Sequence, residues 1–320
     1  MSGTNRYGLS RHIPSGVRRE VRQRSKFGCV SCRAGVTQYE HIDPEFIDAA
    51  THDPARMCLL CGSCHDKVTR GQWSKAKVAT DYQRVQHEPG ITPPRDFLDL
   101  HSGAAALRIG GLFYNHGVHR ILTVCGEDVI SVTPGIDGEP GCISATFCDD
   151  AGGEIFRIRE NVWEGATRAS DIQVEGPRIE VKGSSGRLAL RLRVEPPGSI
   201  VVEHVDMRFG PAWLMASESS YAVGRDDIVP GRFLWTSVRG LLNGGGTDES
   251  IAIEVSTPWV SPHNVILGPA TGVAQPCFGI AIGKGCNMQV SHVASRLDTP
   301  SGIRSQLFDN KLSFFSKVSH

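Results

Sequence analysis

The chain has 320 residues, 40% of them apolar, and its 34 Lys and Arg balance 34 Asp and Glu, so no overall charge marks it as a polyanion binder. That length accommodates two buried cores and is large for one, so two domains are expected. No apolar run approaches the roughly 18 residues that span a bilayer, and no apolar leader opens the chain, so a soluble, cytoplasmic protein with no membrane partner is expected.

The charge is unevenly placed. Residues 1–90 hold fourteen Lys and Arg against nine Asp and Glu, which leaves the remainder acidic. The stretch from Arg6 to Lys26 is the most one-sided, with seven basic residues against Glu20 alone, and is where a polyanion would dock. Within it, residues 14–24 predict a short helix with Val17 and Val21 four apart on one face and arginines around them.

From Phe27 to Trp73 the chain is dense in Cys, His and Asp between short apolar segments, the composition of a small fold that needs a metal staple. Five of the ten cysteines lie in residues 29–64, and this clustering favours metal over disulfides. Cys29-x-x-Cys32 and Cys61-x-x-Cys64 are two knuckles separated by twenty-eight residues. Four thiolates delivered this way close a tetrahedral structural zinc site, whereas buried free thiols or a redox pair are the plainer reading. Cys58, three residues before Cys61, is expected to pack as a small apolar residue.

Between the knuckles lies Tyr39-Glu40-His41-Ile42-Asp43-Pro44; in an extended segment Glu40 and His41 leave on opposite faces. His65-Asp66-Lys67 follows the last cysteine and opens a helical pattern, broken near Gly71, that fades by Gln86. Three prolines between His87 and Arg95 predict a linker over 87–100, separating a domain at 1–86 from one at 101–320. Beyond Leu107 the apolar period becomes two, in short segments such as 121–124, 129–132, 142–147, 154–158, 188–194, 251–255 and 278–282, with turns at Asp137-Gly138 and Gly152-Gly153. This predicts an all-β sandwich or barrel, with a β-solenoid as the alternative. His116 and His119 lack carboxylate or cysteine partners in sequence, and Gly244-Gly245-Gly246 lacks the context of a phosphate loop.

The order Cys-x-x-Cys, Glu40-His41-Ile42-x-Pro44, then Leu60-Cys-x-x-Cys-His65-x-Lys67 resembles the zinc-stapled HNH endonucleases of the ββα-metal (His-Me finger) class, over about residues 25–75. The resemblance implies a multidomain α+β protein, a ββα-metal domain followed by the all-β domain, that cuts DNA phosphodiester bonds with Mg²⁺ or Mn²⁺. It implies His41 as the general base, Glu40 and His65 as ligands of the catalytic ion, and Cys29, Cys32, Cys61 and Cys64 as ligands of structural zinc. The family's middle asparagine is replaced by Arg56, which leaves His52 and Asp53 as candidates to orient His41 or complete the metal site, and Arg56, Lys67 and Arg70 as candidate phosphate contacts. A bacterial restriction or defence setting and a homodimer accord with the class; the ligand of residues 101–320 stays open. A zinc-ribbon DNA-binding regulator that does not cut, and a structural interaction module, are the competing readings.

Overall fold

The computed structural model describes residues 3–218, apart from 102–105, 111, 115–118, 134 and 136–138, and beyond these the segments 221–225, 233–244, 251–255, 280–284, 286–299, 302–308 and 312–314. The expected turn at Asp137-Gly138, with His116, Gly245, Gly246, Trp259 and Cys277, lies outside them. The architecture is mixed α+β, dominated by sheet.

The first helix, α1, spans Ser15–Arg24 and ends with Arg22 and Arg24 in its last turn, where cations suit the helix dipole. Val17 and Val21, with Ile13, pack on Met57, Leu59 and Tyr39. A two-stranded hairpin follows, β1 (Gln38–His41) antiparallel to β2 (Met57–Leu60), with Glu40 opposite Cys58 and His41 opposite Met57. All four β2 residues are buried because the strand is covered on both faces. Met57 and Leu59 meet α1, while Cys58 and Leu60 join the cysteines, Val78, Tyr82 and Val85 in a second small core. The helical pattern after Cys64 breaks where expected: α2 covers Gly62–Thr69, Gly71 takes a φ of 72° that glycine accepts freely, and α3 covers Lys75–His87.

An eight-stranded sheet runs, in spatial order, through strands 280–284, 251–255, 120–124, 127–133, 142–148, 154–159, 162–165 and 95–97. A larger sheet runs from 171–175 through successive antiparallel strands to 221–225, 233–244, 286–299 and 302–308. Both sheets supply one apolar core, with Phe147, Ile158 and Trp163 from the first and Val181, Leu192, Val202 and Leu214 from the second.

The segment expected as a linker is built into the fold. β3 (Arg95–Phe97) pairs antiparallel with strand 162–165, and Leu98 and Leu100 are buried in the large core. The prolines mislead because β3 is the outermost strand of its sheet, and Pro93 and Pro94 precede it, where a missing N–H costs little. The first knuckle then docks against this edge. Gly35 donates its N–H to the Arg95 carbonyl at 2.9 Å and lies so close to Trp163 that a Cβ there would fall 2.1 Å from the indole.

A second contact ties α1 to strand Asp171–Glu175. The Arg22 guanidinium donates through Nε and Nη2 to the two Asp171 carboxylate oxygens at 2.9 and 2.7 Å, and through Nη1 to the Tyr39 hydroxyl at 2.7 Å. Both charged side chains are at least nine-tenths buried. Removing one partner strands a buried charge, so Asp171→Ala is expected to destabilise the protein by about 3–5 kcal/mol. A urea midpoint that does not move would show that the pair is not sequestered from water.

Candidate metal centre and active site

The four knuckle cysteines converge. Their sulfurs all lie within 4.8 Å of one another, and Cys32 and Cys61 stand 3.5 Å apart. Four sulfurs bound to one zinc at about 2.3 Å in a tetrahedron stand about 3.8 Å apart, so the cluster can hold a metal such as zinc. The second knuckle is preformed: the Cys64 amide donates to the Cys61 sulfur at 3.5 Å, at the point where α2 begins. Burial pushes the Cys32 thiol up to about 11 and raises Cys64 as well, with further upward pressure from Cys29. Against burial, hydrogen bonds from the Cys64 amide and the Cys32 thiol hold Cys61 below its ordinary range. Such crowding of acidic groups is what a dication reverses, because it deprotonates the thiols that ligate it.

Arg33 fits the same picture. It is 6% exposed and pairs with no carboxylate among the described residues, donating instead to the carbonyls of Ser25, Lys26 and Thr92 at 3.0, 2.6 and 2.9 Å. Burial lowers it to about 10, and the charges that favour its cationic form are those of Cys29 and Cys32. Four thiolates around one zinc carry a net negative charge that this cation would balance. Cys58 stays out of the cluster, fully buried in the apolar core, and its thiol is pushed up by burial.

The hairpin places Glu40 and His41 on opposite faces. Glu40 Oε2 stands 3.0 Å from His65 Nε2, with His65 held in the first turns of α2 directly after Cys64. The Glu40 carboxylate is nearly buried, so it needs partners, and its other oxygen meets Lys75 Nζ. Lys75 Nζ also donates to the His41 carbonyl at 2.7 Å. Sequence reading missed Lys75. The signal was there: Ser74 caps α3, accepting from the Lys77 amide at 3.2 Å, and a lysine in the first turn opposes the helix dipole unless it faces a carboxylate.

His41 turns instead toward the 46–52 loop. Its Nε2 lies 3.1 Å from His52 Nδ1, and His52 Nε2 lies 2.9 Å from the Ser10 carbonyl. A carbonyl only accepts, so His52 carries its proton on Nε2, its Nδ1 accepts, and His41 donates through Nε2. Neutral His41 is thereby left with a lone pair on Nδ1. Burial, then the facing His52, hold this imidazole below its ordinary range against the pull of Glu40, which keeps it unprotonated at neutral pH. The N-terminal arm secures the loop: Asn5 Nδ2 donates to the Phe46 and Ala49 carbonyls, both at 2.6 Å, and the Arg11 guanidinium lies 4.7 Å from the Phe46 ring centre.

The side chains of the remaining candidates are engaged by partners other than His41. Asp53 caps the turn 54–56, accepting from the Ala55 amide at 2.9 Å, and approaches Arg56 at 3.6 Å. Arg56, where the resemblance expects asparagine, donates to the Asp43 carbonyl at 3.2 Å and so straps the two ends of the 43–56 loop. Lys67 lies over the Trp73 ring beside Lys77, and Arg70 pairs with Asp66 on the exposed side of α2.

No family model, curated protein or solved structure matches the chain. The residues themselves carry the functional reading. No helix among the described residues is long and apolar enough to cross a membrane.

Proposed function

We propose that residues 25–75 form the centre of a metal-dependent endonuclease of the HNH type, hydrolysing DNA phosphodiester bonds, with the four cysteines holding zinc. The contact that carries this reading is Glu40 to His65 at 3.0 Å across a hairpin and helix. Two ligands on adjacent corners of an octahedron at about 2.1 Å stand about 3.0 Å apart, so this pair suits one Mg²⁺ or Mn²⁺ that keeps water on its other positions. Such an ion supplies charge stabilisation at the phosphate and the leaving oxygen. His41 Nδ1 accepts the proton of the attacking water as its oxygen bonds to phosphorus and the bond from phosphorus to the leaving sugar oxygen breaks. His52 and the Ser10 carbonyl keep that nitrogen free and its ring oriented. The β-rich remainder, read as a sandwich or barrel, would position the substrate.

One observation favours a second reading. Lys75 already neutralises Glu40, and an ammonium held there competes with a dication, as expected of a zinc-ribbon DNA binder that does not cut. Supercoiled plasmid separates the two. With Mg²⁺ the protein is expected to nick it and Glu40→Gln is not; binding without nicking by either would transfer the assignment to the regulator.

A further inference from the structure

A cleft of about 320 Å³ opens between α1 and the strands 171–175 and 178–182 of the large sheet. Its wall carries Arg18, Arg19 and Arg22 from the helix and Lys182 from the sheet, beside Ser15 and Gly16 at the helix start. Two carboxylates also line it, but both are spent. Asp171 is taken by Arg22, and Glu180 accepts from Arg191 Nε at 2.8 Å. Arg19 reaches Asp171 only at 4.0 Å, Arg18 reaches the exposed Glu175 at 3.9 Å, and Lys182 makes no ion pair among the described residues. The Arg18 Nε is buried with no hydrogen-bond partner. The helix start adds to the imbalance, since α1 begins after Pro14 with no side-chain cap and no acid in its first turn. Its first amides and its positive dipole end therefore stand unanswered beside three cationic side chains.

We propose that this cleft seats one phosphate group, through Arg18, Arg19 and Lys182 with the first turn of α1. Surplus cations in a recess of this size, formed where two parts of the molecule meet, match a tetrahedral anion with an organic appendage better than a bare surface contact. The phosphate of a nucleic-acid strand fits the partner of the reading above, and a free phosphate presents the same chemistry. The site uses none of the residues assigned to cleavage.

The test is a titration of the full chain with a labelled DNA duplex between about 50 and 200 mM salt, without added Mg²⁺ or Mn²⁺ so that the duplex stays whole. Losing one phosphate contact makes the slope of log affinity against log salt shallower by about 0.9. That shift is expected for the double variant Arg19→Gln/Lys182→Gln, in the same direction for Lys182→Gln alone, and not for Arg187→Gln, an exposed arginine paired with Asp150 elsewhere. Calorimetric titration with inorganic phosphate is the second arm. Heat that the double variant loses, with an unchanged duplex slope, assigns the cleft to a free phosphate. An unchanged slope together with an unchanged phosphate heat, in variants that melt like the parent, overturns the proposal. A protein that binds with the expected slope but never cuts leaves the cleft standing and removes only the nuclease reading.

Discussion

His41→Ala is expected to slow plasmid cleavage by roughly 100- to 10,000-fold, the range lost when a positioned general base is removed. The loss should fall on kcat with little change in DNA affinity, because in the proposed reaction the imidazole acts on the attacking water and not on DNA binding. His52→Ala should cost less, since it frees the His41 ring without deleting it. The pH dependence has a definite sign. A general base works unprotonated, and burial with the facing His52 depresses the His41 pKa, so on the proposed mechanism activity should persist as pH falls through the ordinary imidazole range near 6.5 and fail only below it. Cleavage by His41→Ala at the parental rate would remove this residue from the chemistry.

What could be read in advance was local. Cysteine spacing announces a four-sulfur cluster because two short knuckles each fix their own geometry, and the structure brings all four sulfurs together. Alternation along an extended strand placed Glu40 and His41 on opposite faces, and glycine at 71 marked the helix break. What escaped was long-range. Lys75 meets Glu40 across thirty-five positions, the Ser10 carbonyl reaches His52 across forty-two, and Arg22 finds Asp171 across 149. No periodicity encodes such pairs, because each depends on how separate elements are docked. The linker over 87–100 failed for a related reason: proline content reports backbone restriction, whereas pairing depends on whether an edge lies within reach.

Docking also decides how the cysteine-bearing segment is held against the sheets. Tyr39 stands next to Glu40 in β1, and its hydroxyl accepts from the same guanidinium that grips Asp171 of the large sheet. The strand carrying Asp171 is thus joined to α1 and β1 together, through these hydrogen bonds and the Val21 packing behind them. With the knuckle seated on Trp163 as a second anchor, the metal module is braced against the sheets at two places.

Metal removal should have the largest effect on stability. The core around the cysteines contains few large side chains, chiefly Ile42, Leu60, Val78, Tyr82 and Val85, which is too little apolar surface to hold a hairpin and two helices alone. Structural zinc supplies on the order of 10–16 kcal/mol to small folds of this kind. The parent should therefore contain one zinc per chain by mass spectrometry, and a strong chelator should release it together with loss of helical circular dichroism and of plasmid cleavage. Cys61→Ser should behave like the chelated protein, since it removes one sulfur of the cluster while its hydroxyl can still accept from the Cys64 amide at the start of α2, so that the loss reports on the metal rather than on the helix cap. Cys58→Ala is the discriminating control. It deletes a buried thiol of the same core but no member of the sulfur cluster, so zinc content should stay at one and the stability loss should remain near 1 kcal/mol. Equal zinc loss in the two variants would mean that the metal is held differently, and a chelated protein that keeps its helices would mean that the apolar core alone carries the fold. Acid should mimic the chelator, because protons compete for the thiolates: stability contributed by the metal is present at neutral pH and lost as the pH falls.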